Sequence, residues 1–382
     1  MTPNEHSSHT FLLTIITLII FLLSSTPLSS SSSSSSNKPF SKIIAFGDSF
    51  TDTGNTVSET GPSGFNFVSN LPYGMTFFHR STNRYCDGRL VIDFVAEALK
   101  LPYIPPYRSG GGAPNGVNFA VAGSTAIEHK FFVKNNLTFD ITPESLGTQL
   151  NWFNKYLGKQ GCGQNNQGKC GALFDDALVW VGEIGANDYA YAAETKLSKS
   201  IQSLAIRRVS NFLEAVLKKG AKYVVIQGLP PTGCLTLAMF LAPTDDRDEL
   251  GCVRSVNTQS HTHNTLLQAK IQDLRKRYPK STIVYADYEN AYRDIMHSSS
   301  KYGFKEAFKV CCGSGSGLYN YDFISVCGSP AAKPCSNPTQ YINWDGVHLT
   351  EAMNKAVSGL ILQGRHSHPS FQDLISRKRS QV

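Results

Sequence analysis

Five short apolar runs constrain this chain more than any other feature. KIIAF ends at Phe46, GVNFAVAG at Gly123 and ALVWVGEIG at Gly185, and KYVVIQGLP and STIVYADY follow later. They are rich in Val and Ile and stop at Gly, Pro or Asp. Short runs of this kind fit strands buried on both faces of a parallel sheet. Amphipathic stretches separate them. Over 203–219, Ala205, Val209, Phe212, Leu213 and Val216 share one helical face, while Arg207, Arg208, Asn211 and Lys218 lie elsewhere. The stretch 256–278 behaves alike and ends in basic residues before Pro279. Strands alternating with helices specify an α/β fold with a parallel sheet. Such sheets gather their sites outside the carboxyl ends of the strands. Three chemically suggestive stretches sit just there: after Phe46, at Gly123 and at Asn187.

The 382 residues, 41% hydrophobic and 17% charged, supply ample material for a core. No linker interrupts 37–364, which reads as one domain. The formal charge of +7 is a mild excess, and no Lys/Arg run interleaves with aromatics, so a nucleic-acid partner is not expected. Phe11 to Leu23 form a 13-residue apolar run, too short to span a membrane comfortably and the right length for a signal-peptide core. Its upstream flank lacks Lys and Arg, a departure from the usual pattern. The serine run from Ser29 to Ser36 reads as a flexible spacer. Residues 1–36 are thus expected to be leader and spacer, cleaved between Ser24 and Asn37, leaving a secreted protein with no stable membrane insertion. Residues 365–382 read as a basic, polar, peripheral tail.

Nine cysteines agree with an oxidising compartment. Cys162 with Cys170 and Cys234 with Cys252 would close short loops. Cys311, Cys312, Cys327 and Cys335 allow three pairings. A bond between the adjacent Cys311 and Cys312 would be strained, which favours cross-pairing. Cys86 stands alone and reads as a buried free thiol rather than a catalytic one. Asn136-Leu137-Thr138 is a glycosylation sequon and calls for a surface loop. Two stretches rich in Gly, Pro, Asn and aromatics, 61–84 and 313–338, read as long ordered loops that shape access to a site.

FGDSFTDTGN, Phe46 to Asn55, holds Ser49 between Asp48 and Asp52. A serine hydroxyl is a weak nucleophile at neutral pH and needs a base and donors for the oxyanion it creates. WDGVHLT places Asp345 and His348 three residues apart. On one tight loop the carboxylate can accept from one imidazole nitrogen, leaving the other as a base. The chain has ten histidines. His261 and His263 fall on a helical stretch and read as surface or satisfied groups, whereas His348 carries its own orienter. Candidate oxyanion donors are the Ser49 N–H, at a strand end where a helix is expected to open, the Gly123 N–H and the Asn187 side-chain amide. Taken singly, Gly123 reads as a turn glycine and Asn187 as an Asx turn. Asp48 and Asp52 read as structural, capping the following helix.

Four ordered blocks make the set more specific than its members. GDSFTDTGN, GVNFAVAGS, GANDY and DGVHLT resemble, in that order, the motif blocks of the GDSL esterase/lipase family within the SGNH hydrolase superfamily. Phe50 replaces the conventional leucine, as in the plant branch. STNRYCDGRLVIDFVAEALKLPYIPPY and NPTQYINWDGVHLTEA resemble the secreted plant subgroup. Ala186 and Thr236 depart from residues usual there (Gly and Pro), which bears on loop shape. The resemblance implies a three-layer α/β/α sandwich of the SGNH-hydrolase, flavodoxin-like kind, with a mostly parallel five-stranded sheet. It implies Ser49 as nucleophile, His348 as base, Asp345 as its orienter, and Ser49 N–H, Gly123 and Asn187 as the oxyanion hole. It needs no metal or organic cofactor. The expected partner is a small-molecule ester, favoured as an acetyl or other small acyl ester of a plant metabolite, in the apoplast or an endomembrane lumen such as the vacuole. An acyltransferase, a lipase on longer chains and a non-enzymatic binding or defence protein are the alternatives.

Overall fold

A computed structural model describes residues 38–57, 66–137, 142–162, 167–193, 195 and 198–380. The expected leader and spacer, with their cleavage site, lie outside the described residues. From Pro39 onward the chain forms one compact unit.

The five apolar runs form five parallel strands, as expected. They are β1 (Lys42–Phe46), β2 (Gly116–Asn118), β3 (Ala177–Val181), β4 (Tyr223–Gln227) and β5 (Thr282–Ala286). Two short pairs follow outside the sheet: β6 (Glu306–Val310) with β9 (Tyr341–Asn343), and β7 (Cys312–Gly313) with β8 (Lys333–Pro334). The central sheet runs β10-β5-β4-β3-β1-β2, where β10 is Ser367–His368. Residues alternate between its faces, which is why both sides are apolar. Ile44, Phe46, Val179, Val181, Val224 and Ile226 enter one core, and Ile43, Ala45, Leu178, Trp180, Tyr223 and Val225 the other.

Helices cover both faces. On the first lie α2 (Leu146–Lys159), α4 (Ser198–Lys218) and α5 (Arg254–Arg277), and on the second α1 (Val91–Ala98), α6 (Tyr288–His297), α7 (Glu351–Leu362) and α8 (Phe371–Arg379). One further helix, α3 (Ala186–Tyr191), matters for the site. Phe46 anchors the first core, its ring 5.2 Å from those of Phe119 and Phe153 and 4.9 Å from Phe212. The Asp287 side chain caps α6 by accepting from Asn290 N–H, and the Thr350 hydroxyl caps α7 by accepting from Met353 N–H.

The C-terminal segment corrects the sequence reading. It is not a peripheral tail. Ser367–His368 pairs antiparallel with Tyr285 and Ala286, adding a sixth strand to the edge beside β5. Ser370 and Asp373 then form a capping box for α8, which buries Phe371 and Leu374 in the second core. Lys378 reaches Asp176 at 2.9 Å. Apolar residues are spaced too sparsely among the charges for local pattern to reveal this docking.

Cysteines pair as Cys162–Cys170, Cys234–Cys252, Cys311–Cys335 and Cys312–Cys327. The adjacent pair is thus cross-linked outward, and both bonds staple the 313–338 loop. Cys86 is free and buried. Asn136 is exposed just after the helix His129–Lys134, while Thr138 of its sequon lies outside the described residues. Among the described residues no helix is long and apolar enough to cross a membrane.

The integrated C-terminus makes a stability prediction. Leu374→Ala should lower the unfolding free energy by about 2–4 kcal/mol, as truncations of fully buried leucines do. Chemical denaturation checks it, and a change within error would return 365–382 to the status of a tail.

Candidate active site

The chain leaves β1 for β2 on one side and then crosses to β3 on the other, so the sheet's switch point lies at the carboxyl end of β1. Ser49 follows β1, Gly123 follows β2, and Asn187 is the second residue of α3, after β3. Three loops therefore converge on one crevice.

No helix opens after Ser49, contrary to expectation. The segment makes a single turn in which Thr51 and Asp52 N–H donate to the Asp48 carbonyl at 3.1 and 2.9 Å. Asp52 ends it. Its buried carboxylate accepts from Gly54, Asn55, Thr56 and Ala122 N–H at 2.6–3.0 Å. A side chain so engaged offers the backbone an alternative to helix. The Ala122 bond also ties this loop to the one carrying Gly123. Burial still pushes the Asp52 carboxyl up to about 6, against the lowering by those N–H groups. Asp48 accepts from Phe50 N–H at 3.1 Å, so it caps the turn and not a helix.

His348 Nε2 lies 2.7 Å from Ser49 Oγ. His348 Nδ1 lies 2.9 Å from Asp345 Oδ2 and 3.0 Å from Oδ1. With Nδ1–H given to the carboxylate, Nε2 is left to accept from the serine. Asp345 also accepts from Val347 and His348 N–H, at 2.8 and 2.7 Å, and from the Tyr73 hydroxyl at 2.8 Å. Burial alone would raise its pKa. The His348 charge and hydrogen bonds, with the Val347 N–H, hold it below the ordinary carboxylate value instead. The His348 ring is flanked by Tyr85 at 4.8 Å and Phe50 at 5.6 Å.

Gly123 has φ +74, a left-handed conformation that glycine adopts without strain. Among the described residues, neither Ser49 N–H nor Gly123 N–H donates to a protein acceptor. Asn187 differs. Its Nδ2 donates to Asp48 Oδ2 and to Ser124 O, both at 3.0 Å. Both amide hydrogens are engaged, so donation to an oxyanion requires one of them to be shared or released.

Several supporting residues escaped the sequence reading. Glu183, fully buried beside Asp48, has its carboxyl pushed well above the ordinary range by burial and by the Asp48 charge. An acid inside an apolar run, ALVWVGEIG, was the available signal. Gln149 clamps Gly47, donating to its carbonyl at 2.7 Å and accepting from its N–H at 3.1 Å. Asp188 accepts from Ala126 and Ile127 N–H at 2.8 and 2.9 Å, pinning the Gly123 loop to α3. Tyr73 carried no local signal. Of the other histidines, His263 is buried, its Nδ1 lies 2.6 Å from the Tyr189 hydroxyl, and burial holds it neutral with a pKa of about 3. Exposed His261 sits 3.1 Å from Glu289. Both fit their bland readings.

Asp188 gives a pH prediction. Burial raises its carboxyl to about 7, against the lowering by its two N–H bonds. The folded state therefore holds this proton more tightly than the unfolded chain, whose aspartates titrate near about 3.9. Its contribution to stability is greatest below about 4 and is lost as pH rises to about 7. Asp188→Asn should flatten the fall in unfolding free energy over that window, as read by urea denaturation at several pH values. An unchanged slope would show that Asp188 ionises normally.

Comparison with known proteins shows the family. The GDSL-like Lipase/Acylhydrolase family matches residues 43–361. A GDSL esterase/lipase of Arabidopsis thaliana is 56% identical over 351 residues, covering 90% of this chain and 91% of the relative. Acetylajmalan esterase 2 of Rauvolfia serpentina is 37% identical over 326 residues, covering 84% and 88%. Among solved structures, a catalytic mutant of Axe2, an acetylxylan esterase from Geobacillus stearothermophilus, aligns over 85% of this chain and 93% of that one at 11% identity and a TM-score of 0.38, too remote to bear on function. The chain belongs to the GDSL-like lipase/acylhydrolase family of the SGNH superfamily, among the plant GDSL esterase/lipases, and is a serine carboxylic ester hydrolase.

Proposed function

We propose that this hydrolase works through an acyl-Ser49 intermediate and acts, as a secreted protein, on an acetyl or other small acyl ester of a plant metabolite. The observation that carries the mechanism is the continuous line Ser49–His348–Asp345, with contacts of 2.7 and 2.9 Å. Ser49 Oγ attacks the ester carbonyl carbon while its proton passes to His348 Nε2. Asp345 steadies the imidazolium. The oxyanion meets the free N–H groups of Ser49 and Gly123, and Asn187 joins by yielding one of its two internal bonds. His348 then protonates the departing alcohol. Water enters, gives its proton to His348 and attacks the acyl carbon, and Ser49 leaves with that proton restored.

Support for the acyl preference comes by likeness from a relative named acetylajmalan esterase 2. Support for secretion comes from the apolar run Phe11–Leu23 and from four disulfides. Asn136, exposed, is the proposed glycan site. An acceptor alcohol in place of water would make the same acyl-enzyme a transferase.

Two variants test the chemistry. Ser49→Ala should abolish labelling by a fluorophosphonate probe and lower turnover of a p-nitrophenyl ester by at least about 10⁴-fold. Retained labelling would place the nucleophile elsewhere. Asn187→Ala should cut kcat by about a hundredfold, with the protein still folded by circular dichroism. An unchanged kcat would leave the oxyanion to the two backbone donors and make Asn187 a brace between Asp48 and Ser124.

A further inference from the structure

Over His348 opens a cavity of about 730 Å³. Its walls come from the two long loops. Tyr73 and Tyr85 come from the first loop and Tyr321, Phe323 and Ile324 from the second, and Tyr191, whose hydroxyl meets Gly123 O, completes the lining. Among the described residues no Lys or Arg lines it, and the one acid is Asp345, whose carboxylate is engaged by His348 and the Tyr73 hydroxyl. Two of its four tyrosine hydroxyls are committed as well: Tyr73 donates to Asp345, and Tyr191 donates to Gly123 O at 3.1 Å. Asn66, whose amide oxygen has no donor among the described residues, is left as a polar contact beside the Tyr321 hydroxyl.

The apolar lining continues outward. Ile324 is 89% exposed and Phe323 64%. Leu318 lies on the same loop, and Phe240 and Leu241, at the end of the short helix Thr236–Leu241, are exposed too. Phe240 and Tyr321 stack edge to face at 5.3 Å. Exposed apolar side chains are ordinary when scattered, but these join a cavity that contains the catalytic histidine. Tyr321 is held tight to the catalytic loop. A Cβ on Gly346 would fall 2.2 Å from its ring, so only glycine between Asp345 and Val347 lets the aromatic approach.

The chemistry assigns the occupant. His348 Nε2 must protonate the leaving oxygen, so the alcohol half of the ester departs over His348 and into this cavity. We infer that the substrate is an ester of a neutral, apolar, ring-bearing alcohol, whose ring system packs between Tyr85 and the Tyr321–Ile324 wall. This rests on the esterase reading above. A polysaccharide chain would need converging polar groups that the described lining does not offer. A long acyl chain would lie on the acyl side of the carbonyl and not over the base.

Acetates of primary alcohols with similar leaving groups test the idea: ethyl, cyclohexylmethyl and 1-adamantylmethyl acetate, with ethyl palmitate and acetylated xylobiose as competitors. Wild type should show kcat/KM rising about tenfold or more from ethyl to 1-adamantylmethyl acetate. Tyr321→Ala and Ile324→Ser should each shrink that ratio severalfold. A flat series, or a preference for ethyl palmitate or acetylated xylobiose, overturns the inference. A second arm reads the cavity without turnover. Ser49→Ala protein titrated calorimetrically with 1-adamantanemethanol should bind it saturably, and Tyr321→Ala in that background should weaken the binding. Absence of binding overturns the cavity assignment even if wild type hydrolyses esters. Binding with no ester turned over by wild type supports the cavity and sinks the esterase reading instead.

Discussion

Four backbone N–H groups converge on the carboxylate of Asp52, and much of the crevice depends on that convergence. Three of them wrap the chain around the side chain and stop a helix from forming after Ser49. The fourth, from Ala122, belongs to the loop after β2 and ties the residue before Gly123 to the loop that carries Ser49. Asn55 extends the same lattice, donating to Asn118 O and Ala120 O at 2.8 Å each.

The proposed acid–base half is assembled by different means. Asp345 and His348 ride on one short loop, and Trp344 N–H closes it by donating to His348 O at 2.8 Å. Tyr73 and Tyr85 reach it from the loop before α1. Cys312–Cys327 and Cys311–Cys335 hold the opposite wall. The two halves meet across the sheet at the contact between Ser49 Oγ and His348 Nε2.

Sequence alone revealed whatever is local or periodic. Five apolar runs became five strands because both faces of the sheet are covered, leaving no polar alternation to confuse the pattern. The Asp345–His348 pair was legible because orienter and base share one turn. What stayed hidden was tertiary. A two-residue strand such as β10 has no pattern of its own and exists only because β5 offers an unpaired edge. The turn after Ser49 looked like a helix start until Asp52 was seen to collect its N–H groups. Tyr73 lies 272 residues from the carboxylate it contacts. The double engagement of Asn187 needed coordinates, since GANDY does not say where an amide points.

The order in which these parts leave the ribosome has a consequence. Ser49 and His348 are 299 residues apart, and the strand that closes the sheet edge comes later still. A growing chain therefore holds Ser49 without its proposed base until His348 has been made. The proposed nucleophile thus meets its base only once the loop carrying His348 has folded back onto the end of β1, so the pairing itself reports an assembled sheet.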